Sequence, residues 1–291
     1  MERNLFGELP DGGDAGLRVD SPTDRLRFRS IILDYYAWAG RRMPWRDTPT
    51  PYWVFVSEMM LQQTQVKRVM EKFPPFVARF PSFTALAAAP FSGILSEWSG
   101  LGYNRRARFM HRAAQEIVSV HNGRLHDEPQ QLQSLPGIGP NTAGSIAAFA
   151  FNQPVVFIET NIRRVFLHFF FPGEDQVHDK RLLPLIDATL DRDEPRRWYW
   201  ALMDYGVALS RVTVNPNRRS RHYTRQKPFA GSDRQLRGRI LKALTRGDSL
   251  SAAELPTVTG YDQARSEAVA TQLETEGLLT RTESDRWIIA D

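Results

Sequence analysis

The sequence contains no cysteine. That one absence excludes thiolate zinc sites, cysteine-ligated iron-sulfur clusters, disulfides and cysteine nucleophiles. Any chemistry must run on carboxylates, hydroxyls, amides, His, Lys or Arg. Long apolar runs are missing too, since none approaches the roughly 18 residues of a membrane-spanning helix. The opening MERNLFGELPDGGDAGLRVD has acidic residues where a signal peptide carries positive charge. Both features predict an intracellular protein. Neither an internal repeat nor a low-complexity segment stands out, and acidic residues do not dominate: 38 Lys and Arg face 33 Asp and Glu, a formal charge of +5. This is a mild bias toward polyanionic partners.

What is present suffices for a sizeable core. At roughly 100–200 residues per domain, 291 residues suggest two domains. Residues 1–24 are rich in Gly, Asp and Pro with few large apolar side chains, which predicts a disordered or loosely attached lead-in without chemistry. From Leu26 to Val212 apolar residues recur at helical spacing, as in FRSIILDYYAWAG and VKRVMEKFPPFVARF, interrupted by Pro and Gly. That pattern predicts an all-α core of short helices over residues 25–212.

Beyond the core, RVTVNPNRRSRHYTRQK holds Arg211, Arg218, Arg219, Arg221, Arg225 and Lys227 without one acidic residue. Residues 213–230 therefore read as a basic linker, either touching phosphate through Arg218, Arg219 and Arg221 or simply solvated. Then come an amphipathic helix (DRQLRGRILKAL), a short helix ending in a turn (LSAAELPTVTG), a longer helix (YDQARSEAVATQLETEGLL) and a strand pair (TRTESDRWIIAD). Three helices and a two-stranded wing predict a small winged-helix-like α+β domain over 231–291. Such modules often insert their last helix in a DNA groove, while others bind protein.

The most informative string is LPGIGPNTAGSIAAFAF, residues 135–151. Gly137 and Gly139 permit a sharp turn whose amides approach a ligand unobstructed. Pro140 suits the first position of the next helix, whose unpaired N–H groups and positive dipole end suit a phosphate. A glycine turn between packed helices is common, but here the whole LPGxGxxTA string is present, and Gly137, Gly139 and Thr142 are assigned to DNA contact.

With this hairpin in view, the chain resembles the helix-hairpin-helix base-excision DNA glycosylases, which include endonuclease III and, with the closer likeness, the adenine DNA glycosylases. The resemblance runs from MPWRDTPTPYWVFVSEMMLQQTQV through WSGLGYNRRAR and LPGIGPNTAGSI to TNIRRVF and ALMDYG, roughly residues 30–210. It implies a two-lobed helical core that excises a mispaired base from duplex DNA, with adenine as first candidate. Glu58 matches the general acid that protonates the departing base. Its neighbours Met59, Met60 and Leu61 predict a half-buried carboxyl of raised pKa. Gln62 matches the residue that wedges into the duplex as the target leaves the stack, and Gln63 beside it is assigned to DNA as well. Tyr103 matches an aromatic near the lesion, although alone it would also suit a core. Arg46 matches a residue lining the base pocket, although alone it would suit the surface.

Several residues depart from the family pattern. Where the family has Asp in a DGN string to stabilise the cationic sugar, this chain has Glu159, whose additional bond shifts the carboxylate by about an ångström; Asn161 matches the family's Asn. At the position where strand-nicking relatives carry a Schiff-base Lys stands Asn141, which predicts hydrolysis by water without lyase activity. Trp200 replaces a polar base-reading residue, leaving room for thymine or uracil as substrate. The four-cysteine loop is replaced by Ser210 onward, and the tail replaces the domain that reads 8-oxoguanine in the opposite strand. No organic cofactor and no metal are implied, except a monovalent cation at the hairpin. The resemblance also predicts a cytoplasmic, nucleoid-associated monomer. Two other readings stay open: a catalytically silent lesion sensor, against which Glu58 argues, and a transcription regulator binding DNA through the winged helix alone.

Overall fold

A computed structural model describes residues 16–224, 228–247 and 249–291. The described residues form fifteen α-helices and one two-stranded antiparallel sheet. The helices are α1 (Pro22–Ala39), α2 (Pro44–Asp47), α3 (Pro51–Leu61), α4 (Val66–Arg79), α5 (Phe83–Ala88), α6 (Phe91–Trp98), α7 (Arg105–Ser119), α8 (Pro129–Ser134), α9 (Pro140–Phe151), α10 (Thr160–Phe170), α11 (Asp179–Thr189) and α12 (Pro195–Val212), then α13 (Asp233–Leu244), α14 (Leu255–Thr259) and α15 (Gln263–Thr275). Strands β1 (Leu279–Arg281) and β2 (Trp287–Ile289) close the chain, with Thr280 opposite Ile288.

Local chemistry accounts for many of these starts. Pro22, Pro44, Pro51, Pro140 and Pro195 each occupy the first turn of a helix, where a fixed φ helps and the missing N–H costs nothing. Ser21, Thr50, Ser82 and Asp262 accept first-turn amides of α1, α3, α5 and α15. The three carboxy-terminal helices and the strand pair lie where periodicity predicts them.

The chain divides into two compact units that interleave in sequence: Met1–Pro49, Asp127–Gln130 and Gly139–Arg225, and Thr50–His126, Gln131–Ile138 and Gln226–Asp291. In the first, Phe28 of α1 is fully buried and meets Phe166, Phe169 and Trp198 edge-on at 5.3, 5.1 and 5.7 Å. Helices α10 and α12 approach so closely that a Cβ at Gly206 would lie 2.6 Å from the Asn161 carbonyl oxygen. Residues 1–15 of the expected lead-in lie outside the described residues. Residues 16–24 are held in place: the amides of Gly16 and Leu17 donate to the Phe169 carbonyl at 2.8 and 3.0 Å, and α1 begins at Pro22.

In the second unit Phe55, Met59, Phe73, Phe76, Trp98 and Met110 form one core, and Leu236, Ile240, Leu273 and Trp287 another. Residues 226–291 group with α3–α7 in this unit, whereas composition suggested a separate domain from 231. Asp291 accepts from Ser92 N at 2.6 Å, and Arg234 donates to the Tyr103 hydroxyl at 3.1 Å. No described helix is long and apolar enough to cross a membrane.

Candidate active site and nucleic-acid interface

In the second unit, α3 and the turn after it carry the expected acid and wedge. Glu58 is half-buried and directly precedes the fully buried Met59 and Met60. Helix α3 ends at Leu61, and Gln62 donates its amide to the Gly137 carbonyl at 3.2 Å. The exposed Gln63 has φ +53°, a backbone state that few non-glycine residues adopt and that marks functional turns. Tyr103 also sits at positive φ, +48°. Gly137, at φ +78°, lies so close to Phe109 that a Cβ would come within 2.6 Å of that ring's own Cβ, so the turn demands glycine twice over.

One residue ties these turns together, and sequence reasoning passed over it. The buried Arg106 donates to the carbonyls of Met59, Met60 and Gln62 through Nη1, and to Thr64 Oγ1 and the Gly102 carbonyl through Nη2. Its guanidinium also lies over the rings of Trp98 and Tyr103, at 5.2 and 5.5 Å. Burial lowers its pKa to about 10. A fixed planar fork suits five converging oxygens in a way an ammonium does not. The available signal was its position in WSGLGYNRRAR, three residues after Tyr103 on the first turn of a helix.

In the first unit, Gly139 caps α9 without a side-chain bond to the first turn. The amino end of that helix carries the exposed Asn141 and half-buried Thr142, and the positive end of its dipole suits an anion. Asn141 Oδ1 lies 3.5 Å from the Ile158 amide. Glu159 is the N-cap of α10: Oε1 accepts from Asn161 N and Ile162 N at 2.7 and 2.8 Å, and Oε2 from Asn161 Nδ2 at 3.2 Å. Burial raises its pKa, while the two amides and Arg164 oppose the rise. Asn161 in turn accepts from Arg164 Nη1 at 2.7 Å, and the same nitrogen donates to the Gly206 carbonyl at 2.6 Å. Carboxylate, amide and guanidinium thus form one fixed chain.

Arg46 is buried, not a surface charge. Its Nη1 donates to Asp204 Oδ2 at 2.9 Å, and its guanidinium lies 5.4 Å from the centre of the half-buried Trp200 ring. Asp204 also accepts from the amide and Nε of Arg41, both at 2.7 Å. A buried aspartate inside the apolar string ALMDYG was the clue to such a partner.

Comparison with known proteins bears on this arrangement. An adenine DNA glycosylase of Mycolicibacterium smegmatis is 32% identical over 89% of this chain and 94% of its own length. One from Mycobacterium tuberculosis is 31% identical, over 97% of each. Residues 56–183 match the HhH-GPD superfamily base excision DNA repair proteins. The chain belongs to that superfamily. Among solved structures, a thermostable thymine-DNA glycosylase superposes with a TM-score of 0.57 at 25% identity, covering 62% of this chain and 85% of that one.

Members of this superfamily with a four-cysteine loop hold an iron-sulfur cluster after the glycosylase core, and a chain without cysteine does not fit that group. After α12 this chain forms a tight 3-10 turn, Pro216–Arg219. Asn217 Nδ2 donates to the Thr160 carbonyl at 3.0 Å, Arg164 Nε to Asn215 Oδ1 at 3.3 Å, and Val177 pairs with Ser220 as a parallel bridge. Arg219, assigned to phosphate from the sequence, is half-buried and held by protein oxygens. Its guanidinium donates to the Leu167 and Phe171 carbonyls at the end of α10, where a cation offsets the helix dipole. Arg218 and Arg221 are exposed, whereas Arg225 and Lys227 lie outside the described residues. Among the described residues no group of three or more His, Asp and Glu is placed to hold a metal ion.

Proposed function

We propose that this protein is a monofunctional DNA N-glycosylase that hydrolyses the glycosidic bond of adenine mispaired with guanine or 8-oxoguanine in duplex DNA. The observation that carries the substrate is the likeness to two adenine DNA glycosylases along nearly the whole chain. Glu58 protonates the leaving base, because a neutral purine departs poorly without a proton. Glu159 is the anion that faces the developing sugar cation, held by the first-turn amides of α10 and by Asn161. Water is the nucleophile, since Asn141 offers no amine. Gln62, Gln63 and Tyr103 occupy the gap left by the extruded base. Arg46 and Trp200 wall the base, and the amino end of α9 with Arg218 and Arg221 takes phosphates. The carbonyls of the hairpin turn would hold a monovalent cation, which would offset the charge of a phosphate there; the carboxy-terminal module is a winged helix, and the protein acts as a monomer at the nucleoid.

A second reading, thymine or uracil opposite guanine, is favoured by Trp200, which offers a stacking wall in place of an amide, and by the superposition on a thymine-DNA glycosylase. Single-turnover base release decides between them, using duplexes with adenine, thymine or uracil opposite guanine and adenine opposite 8-oxoguanine. Adenine release that Glu58→Gln abolishes is the expected result. Release of thymine alone would select the second reading, and no release from any duplex would refute both.

A further inference from the structure

The second unit contains a cavity of about 680 Å³ between the turn that carries Tyr103 and helix α13. This falls within the roughly 300–1,000 Å³ of sites that enclose small organic groups. The wedge residues Gln62 and Gln63 line one side, and Arg234, Arg237, Gly238, Leu241, Lys242 and Thr245 the other. The latter recur at helical spacing and so define one face of α13. Arg234 donates to the Tyr103 hydroxyl at 3.1 Å, and Arg237 is paired with Glu276. Three further cations on the lining, Arg68, Arg105 and Lys242, are exposed, and no described carboxylate pairs with any of them. Arg105 lies 4.9 Å above the ring of Phe109, which with Leu95 and Leu241 gives the cavity an apolar floor.

Charge is segregated between the two long helices of the carboxy-terminal module. Helix α13 has four cations and one acid. From its cap Asp262 to Glu276, the α15 segment has four acids and one cation. That cation, Arg265, is already bound to Asp233 and the Gly231 carbonyl, at 2.7 and 2.8 Å. A winged helix that reads DNA through its last helix needs a basic face there, and α15 presents the opposite.

We propose that the cavity is a DNA-backbone site in which Arg68, Arg105 and Lys242 seat a phosphate beside the wedge, so that the carboxy-terminal module grips DNA through α13 while α15 stays out of the groove. The inference rests on DNA as the substrate and extends the footprint to α13, which neither motif nor family match marks. It makes the module a second jaw on the backbone next to the extruded base.

The test is fluorescence anisotropy of a labelled mismatch duplex across a salt series, with single-turnover base release by the parent protein on the same duplex. Lys242→Ala and Arg105→Ala should each weaken binding and flatten the slope of log affinity against log salt by about 0.9, the loss of one phosphate contact. A Cβ at Gly238 meets no atom within 4 Å, so Gly238→Asp adds a carboxylate without a clash. It should weaken binding about tenfold relative to Gly238→Ala, which adds the Cβ alone. Glu267→Lys on α15 should leave the slope unchanged. Unchanged slopes in both alanine variants, or a steeper slope in Glu267→Lys, would overturn the α13 site even if the parent releases base. Flattened slopes with no release by the parent would support the site and refute the proposed function alone.

Discussion

Replacing Arg106 by Leu removes the guanidinium that ties the end of α3 to the turn carrying Tyr103. In the native protein its guanidinium donates to Met60 O at 2.8 Å, Met59 O and Gly102 O at 3.0 Å, Thr64 Oγ1 at 2.9 Å and also to Gln62 O. Hydrogen bonds from a charged donor contribute about 1.5–3 kcal/mol each, and the two terminal nitrogens carry four N–H groups between them, so four at the low end give roughly 6 kcal/mol. Burying the charge costs about 3 kcal/mol, from the fall of its pKa from 12.5 to about 10 at ~1.4 kcal/mol per pH unit. The net loss expected is about 3 kcal/mol, on the order of a hundredfold in the folding equilibrium. Urea unfolding monitored by tryptophan fluorescence measures it directly, because Trp98 lies under the guanidinium at 5.2 Å. Arg106→Lys should recover about half, since an ammonium reaches at most three of these oxygens. Base release at a temperature where the variant remains folded should also fall, because Gln62 and Tyr103 lose their common support. A variant within about 1 kcal/mol of the parent would refute the view that this one side chain organises the wedge.

Three further outcomes are expected. Glu159→Gln keeps an acceptor at the α10 cap but removes the negative charge, and should slow single-turnover release by about 10²–10³; an unchanged rate would remove Glu159 from the reaction. Asn141→Lys restores an amine where the parent has none, and should form a borohydride-trapped complex with DNA that the parent does not form; trapping by the parent would refute the hydrolytic mechanism. His111 is buried, stacked on Phe91 and bonded to the Ala87 carbonyl at 3.2 Å. Burial, aided by Arg108, holds its pKa below the ordinary histidine value, against the Ala87 carbonyl and Asp291. A depressed pKa means that its stabilising contribution is complete above about pH 6.5 and is lost as pH falls through the folded-state value. The gap in urea midpoint between pH 7 and pH 5 should therefore narrow in His111→Gln, and an unchanged gap would place the acid sensitivity elsewhere.

Much of the fold was legible because its signals are local. Helical periodicity, prolines at first turns and polar caps mark α1, α3, α9, α12, α13 and α15 from neighbouring residues alone. The hairpin was legible for the same reason, since Gly137 takes φ +78° in the turn and Gly139 caps α9 two residues later. The grouping of residues 226–291 with α3–α7 was not, because it rests on contacts such as Arg234 with Tyr103 and Asp291 with Ser92, more than a hundred positions apart.

The sequence by itself determined the chemistry available: no thiolate, a carboxylate at Glu58 followed by apolar Met59, Met60 and Leu61, a second at Glu159 beside Asn161, and no amine at position 141. It also marked a basic segment as one class of residue, since charge is all that composition reports. Tertiary structure decided how each cation is used. Arg219 is consumed by the end of α10, Arg46 by Asp204 and Arg106 by the end of α3, while Arg68, Arg105 and Lys242 remain exposed around a cavity. The physical reason is that a guanidinium's role depends on which oxygens come within about 3 Å of it, and the chain brings those together only when it folds.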